Sequence, residues 1–178
     1  MQIPPDTPSP SPWVARHAGL IEKPGPVLDL AAGGGRHTRY FKGLGYAVMA
    51  VDRDISRLAD LIGAPDMEII AADLEDGSPW PLAGRAFGGI VVTNYLFRPI
   101  LAAIAAALAP GGVLIYETFG LGQEKYGRPR NPDHLLRPGE LLDFAEREGL
   151  VVRTYHCGEI AAPAPAVLQR MVAERKRG

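Results

Sequence analysis

Residues 26–38 read P-V-L-D-L-A-A-G-G-G-R-H-T. Pro26 to Ala31 is a short apolar run entering a glycine turn, which predicts a buried strand. Arg36 to Gly45 then predicts a helix ended by glycine. Between them, Gly33, Gly34 and Gly35 permit positive φ and let a ligand approach the backbone with no Cβ in the way. Such a loop lies at the carboxyl end of a strand, where open α/β sheets bind ligands. The same glycines also suit a plain tight turn, so the loop alone does not decide the ligand.

The pattern repeats outward from this unit. Tyr46–Val51, Met67–Ala72, Phe87–Thr93 and Val113–Thr118 read as strands, the third of these rich in β-branched residues. Asp54–Ile62 reads as a helix with Asp54 as its N-cap. Pro99–Leu108 reads as an Ala-rich helix closed by Pro110-Gly111-Gly112. Strand alternating with helix predicts a doubly wound α/β fold, a mostly parallel sheet covered on both faces. The end of the chain differs: a helix at Gly139–Glu148, a strand at Leu150–His156, and a final strand at Ala166–Glu174 expected to pair antiparallel, although its Leu, Gln, Arg and Met also suit a helix. At the other end, the proline-rich residues 1–11 are expected to be extended or disordered. Ser11-Pro12 is a helix start, with Trp13, Val14 and His17 on one face. Residues 12–178 then form a single domain.

Composition narrows the function classes. A chain of 178 residues, 47% of them hydrophobic, builds one core and leaves little length for a second recognition domain. The net charge of −1 supplies no global field toward nucleic acid or an anionic membrane. No apolar run is long enough to span a bilayer. The N-terminus lacks a basic stretch followed by an apolar one, so no signal peptide is expected. With Cys157 as the single cysteine, a cytoplasmic setting is expected. His17, His37, His134 and His156 are scattered, which disfavours a metal site.

Two acidic positions follow the glycine loop at successive strand ends. Asp52 lies about 20 residues beyond the loop, where an acid accepts hydrogen bonds from ribose hydroxyls. Asp73-Leu74 ends the next strand, where the carboxylate suits the exocyclic amine of adenine and the leucine its ring. The alternatives are a surface Asp52 and a solvated Asp73-Glu75-Asp76 cluster. Three such features in order favour a nucleoside ligand. A dinucleotide is the main competitor, but the third glycine of G-x-G-x-x-G falls at Thr38, so the pyrophosphate fingerprint is incomplete.

V-L-D-L-A-A-G-G-G-R-H-T resembles the first motif of class I S-adenosylmethionine-dependent methyltransferases. Asp29, Gly33 and Gly35 match that motif, while Ala31 stands where the family has its first glycine. Asp52 matches the ribose-binding acid, Asp73-Leu74 the adenine-binding step, and Pro110-Gly111-Gly112-Val113-Leu114 the turn into strand five. The resemblance implies a seven-stranded Rossmann-like sheet of order 3-2-1-4-5-7-6 with strand 7 antiparallel. It implies S-adenosyl-L-methionine as cofactor, held by Asp29, Ala31, Gly33, Gly35, Asp52, Arg53, Asp73, Leu74 and Asn94. Within the family, the chain is most similar to small bacterial methyltransferases of the tellurite-resistance type.

The methyl acceptor is expected over the ends of strands four and five. Candidates for contacting it are Trp13, Tyr95, Arg98, Tyr116, Glu117, Tyr126, Arg128 and Arg130. Tyr95, Arg98 and His134 are the candidates for catalysis. Tyr95 also suits packing against the Ala-rich helix. Arg98 conflicts with the dipole of a helix start, which favours a functional use. Residues 120–138 form a long polar segment suited to a lid, and its Lys125, Arg128, Arg130 and Arg137 suit a small anionic acceptor. Other readings are an RNA methyltransferase needing a partner, with Arg175-Lys176-Arg177 touching RNA, and a non-catalytic scaffold subunit that binds the cofactor. A dinucleotide or nucleotide-sugar enzyme is disfavoured by Thr38.

Overall fold

A computed structural model describes residues 9–178, so most of the proline-rich segment lies outside the described residues. The strands are β1 (Val27–Leu30), β2 (Val48–Asp52), β3 (Met67–Ala71), β4 (Phe87–Thr93), β5 (Leu108–Phe119), β6 (Leu150–Ile160) and β7 (Ala166–Arg175). They form one sheet in the order β3-β2-β1-β4-β5-β7-β6. β1 to β5 pair in parallel, and β7 runs antiparallel to both β5 and β6. This is the architecture expected from the alternation and from the family resemblance.

All four residues of β1 are buried. The strand sits at the middle of the sheet, so both its faces are covered and it must be apolar throughout. On one face Leu28, Leu30, Ile90, Val92, Leu114 and Tyr116 join α3 (Leu101–Ala106) and α4 (Glu140–Arg147). On the other, Val27, Val91, Val113 and Ile115 pack with α1 (Pro12–His17) and α2 (Arg36–Gly43). Each such Leu, Ile or Val contributes roughly 1.5–3 kcal/mol by leaving water. Ser11 caps α1 as expected, its Oγ accepting from the N–H groups of Trp13 (3.1 Å) and Val14 (3.5 Å).

Three expectations are corrected. Asp54–Ile62 is not an α-helix; only a 3₁₀ segment forms at Ser56–Leu61. Asp52 and Asp54 accept from the N–H groups of Asp54 and Ser56, and these local bonds hold the start of the segment out of the helical pattern. The Ala-rich helix is shorter than Pro99–Leu108, because Arg98–Ile100 is a 3₁₀ turn ahead of α3. Pro110-Gly111-Gly112 does not close a helix but lies inside β5. There it forms an irregularity, since Phe87 pairs with Leu108 whereas Gly89 pairs with Val113. Between β3 and β4 no helix forms; Leu82 and Trp80 on an irregular crossover fill that part of the core. No helix of the described residues is long and apolar enough to cross a membrane.

Candidate functional site

The carboxyl ends of β1, β2 and β3 surround a cavity of about 340 Å³. Ala31, Asp52, Arg53, Asp73, Leu74 and Tyr95 line it, all singled out by the sequence, together with Ala72, Glu75 and His134. The glycine loop is tied to the lining residue Asp52. Asp52 Oδ2 accepts the Gly33 N–H at 2.7 Å while Oδ1 accepts the Asp54 N–H at 3.0 Å. Arg39 Nη1 donates to the Gly34 carbonyl at 2.7 Å, anchoring the loop from α2. A Cβ on Gly33 would project into open space.

Ala31 has φ +54°. A Cβ costs about 1–2 kcal/mol in that region, and glycine gives back 0.5–1 through chain entropy. Ala31→Gly is therefore expected to raise stability by about 0.5–1 kcal/mol and Tm by roughly 2 °C, read in thermal melts. A lowered Tm would show that other contacts favour this conformation.

Asp29 does not line the cavity. It is 2% exposed and accepts the Thr38 hydroxyl at 2.5 Å, joining β1 to α2 beneath the loop. Burial pushes its carboxyl up from 3.8 to about 6, against the lowering effect of the Thr38 hydrogen bond. The folded chain then binds a proton between pH 3.8 and 6 that the unfolded chain has released. Stability from this group is present below pH 3.8 and is lost as pH rises to about 6. The loss is on the order of 3 kcal/mol. Urea unfolding of wild type and Asp29→Asn is expected to diverge across that window and run parallel above it. A difference independent of pH would show that Asp29 does not ionise there.

A second cavity of about 240 Å³ adjoins the first and shares Glu75, Tyr95 and His134 with it. Asn94, Thr118 and Phe119, from the ends of β4 and β5, complete its floor. Asn94 sits at φ +54°, a left-handed conformation that asparagine tolerates. The Tyr116 hydroxyl donates to the Tyr95 carbonyl at 3.0 Å and fixes the backbone there. The Tyr95 hydroxyl is buried without a hydrogen-bond partner. Burial, then the nearby Glu75, Asp73 and Asp52 carboxylates, push its pKa up, so it stays protonated as a donor.

Several expected acceptor contacts lie elsewhere. Tyr116 is fully buried in the core. Glu117 faces the opposite side of the sheet, 2.9 Å from Arg170, whose guanidinium stands 5.7 Å from the centre of the Trp13 ring. Trp13 is itself buried, its ring centre 4.4 Å from that of His17. Burial lowers His37 to about pKa 3, leaving it neutral, and its Nε2 accepts the Ser11 N–H at 3.1 Å. Tyr126 donates to Glu159, and Lys125 pairs with the same carboxylate. Arg128 and Arg130 are exposed on the loop and line neither cavity. Arg98 is engaged by Glu140. In the basic tail, Arg175 donates to the Ala106 and Leu108 carbonyls and Arg177 pairs with Glu22. Glu75, Thr118 and Glu140 were missed. Glu75 stood beside Asp73 as a signal, whereas Thr118 and Glu140 acquire their partners only in the fold.

Residues 14–76 match the family model described as tellurite resistance protein TehB. No sequence among curated proteins matches the chain. Among solved structures, it is similar to the 1,6-didemethyltoxoflavin-N1-methyltransferase of Burkholderia thailandensis, solved with 1,6-didemethyltoxoflavin and S-adenosylhomocysteine. That likeness has a TM-score of 0.71 at 23% identity, over 96% of this chain and 80% of the other. It is also similar to a SAM-dependent methyltransferase from Methanosarcina mazei (TM-score 0.71, 16% identity, 96% and 100% covered). TehB from Haemophilus influenzae gives a TM-score of 0.69 at 19% identity, over 92% of this chain and 61% of that one. These likenesses establish the fold, and the family model covers the segment that carries the glycine loop and Asp52. The chain has the fold of S-adenosylmethionine-dependent methyltransferases, and its residues 14–76 are similar to the TehB family.

Proposed function

We propose that the chain methylates a small, uncharged acceptor bearing an O–H or N–H group, seated in the 240 Å³ cavity beside the cofactor. The observation that carries this reading is the charge around the two cavities. Asp52, Asp73 and Glu75 line the first, with Arg53 the one arginine or lysine among its lining residues. Such a surround suits a sulfonium cation and opposes the two negative charges of a dinucleotide pyrophosphate. The second cavity is lined by Glu75 and His134 but by no arginine or lysine. Of the cations expected to hold an anion, Lys125 pairs with Glu159 and Arg137 with Glu140, while Arg128 and Arg130 are exposed and line neither cavity. An anionic acceptor would face Glu75 with no arginine or lysine in the lining to balance its charge.

In this reading Asp52 holds the ribose, Asp73 and Leu74 the adenine, and the glycine loop and Asn94 the methionine end. The bound cofactor supplies an electrophilic methyl group for in-line displacement. Phe119, Leu96 and Pro129 exclude water from the acceptor side, and Thr118 and Asn94 orient the acceptor. That the Burkholderia neighbour acts on a small molecule is consistent with this scale. The test is calorimetric titration with S-adenosylmethionine, S-adenosylhomocysteine and NAD, followed by titration of the S-adenosylhomocysteine complex with 3-hydroxypyridine and with 4-hydroxybenzoate. Binding of the first two ligands without NAD, then preference for the neutral probe, is expected. Binding of NAD alone would overturn the cofactor, and preference for the benzoate would overturn the uncharged acceptor.

A further inference from the structure

His134 is exposed on an irregular loop, at the end of the 3₁₀ turn Pro132–His134, yet it lines both cavities. Holding a loop side chain in one place opposes its conformational entropy, so specific contacts must fix it. Arg98 provides them. Its Nη1 donates to the Asp133 carbonyl at 2.7 Å and its Nη2 to the Leu135 carbonyl at 2.9 Å. One guanidinium therefore grips the backbone on both sides of His134.

The guanidinium is itself held. Its Nε donates to Glu140 Oε1 at 2.6 Å and its Nη2 to Oε2 at 3.0 Å, a two-bond fork onto a carboxylate that is 9% exposed. The same Oε2 accepts the Arg137 N–H at 2.8 Å. Asn131 Oδ1 accepts the Asp133 N–H at 3.0 Å and shapes the turn from the other side. The segment after β4, the loop and the first turn of α4 thus meet at one side chain. Arg98 lines neither cavity.

We propose that Arg98 is a positioning residue, and that the group it positions, the His134 imidazole, contacts the sulfonium end of the bound cofactor at the boundary with the acceptor. This rests on the cofactor reading above. S-adenosylmethionine and S-adenosylhomocysteine differ at sulfur by one methyl group and one positive charge, so the pair reports on whatever lies beside that atom. The measurement is the histidine ring spectrum of the full chain, isotope-labelled at histidine, with each ligand at saturation. His134→Gln assigns the resonance, and His156 on β6 is the internal control.

The His134 resonance is expected to differ between the two complexes while His156 does not. Arg98→Lys keeps the charge but lacks the fork. It is expected to bind S-adenosylhomocysteine within about threefold of wild type, yet to lose the difference at His134. Glu140→Gln is expected to lose it as well, and it supplies the test if the lysine variant does not fold. Identical His134 resonances in the two wild-type complexes would overturn the contact. An undiminished difference in the variants would overturn the positioning role. Failure of wild type to bind either ligand would overturn this inference together with the cofactor reading.

Discussion

Gly35→Ala is expected to lower the unfolding free energy by about 2–5 kcal/mol, the sum of a left-handed backbone penalty and overpacking. Gly35 is the N-cap of α2 at φ +73°. A Cβ there would lie 2.2 Å from Leu58 Cδ2 and 2.6 Å from Arg39 Nη1. Leu58 is fully buried and cannot swing away, and Arg39 is already bonded to the Gly34 carbonyl. For a chain of this size Tm should fall by roughly 10 °C. Gly33→Ala is the contrasting variant. Its Cβ meets nothing within 4 Å, so it pays mainly for φ +54°, about 1–2 kcal/mol. On the proposed cofactor placement it should lose cofactor affinity more than stability, because the added Cβ would enter the open space beside the loop. Thermal melts and S-adenosylhomocysteine titration of both variants give the comparison. Equal destabilisation by the two would show that packing against Leu58 does not set the loop.

Asp52→Ala is expected to weaken S-adenosylhomocysteine binding by roughly 100-fold or more. A charged hydrogen bond contributes about 1.5–3 kcal/mol, two ribose hydroxyls can engage the carboxylate, and 1.4 kcal/mol is tenfold in Kd. The carboxylate also accepts the Gly33 N–H, so its loss releases the loop. With the Asp54 N–H bond lost as well, both of them solvent-exposed, that second effect predicts a stability loss of about 1–3 kcal/mol. A large fall in affinity in a chain that still folds is therefore the signature of a ligand-binding acid. Unchanged affinity in calorimetry would refute the ribose assignment.

The legible part of the site was the part built from neighbours in sequence. The β1–glycine loop–α2 unit is continuous in the chain, and its glycine spacing reads directly. Asp52 and Asp73 stand at or just beyond strand ends, positions that a strand's length predicts. The helix expected at Asp54–Ile62 failed because Asp52 and Asp54 bond the local backbone, a competition that propensity does not record. The cations expected of the loop line neither cavity, for a different reason. A run of cations shows its charge in sequence but not its partners or direction: Glu159 and Glu140 hold Lys125 and Arg137, and Arg128 and Arg130 stand exposed outside both cavities.

By itself, the sequence determined the α/β alternation, the strand ends that line the first cavity and the incomplete pyrophosphate loop. Hydrophobic period and glycine position are local, and they fix local geometry. Only the tertiary structure decided what each polar side chain faces. Tyr116, Glu117 and Thr118 are consecutive on β5, and the strand's period of two sends them to alternate faces. Tyr116 enters the core, Glu117 meets Arg170 from β7, and Thr118 reaches the second cavity. Arg98 and Glu140 stand 42 residues apart in the chain, and folding brings them into the fork that holds His134 over both cavities. A long-range ion pair leaves no periodic trace in a sequence, because its geometry exists only once the sheet has brought its partners together.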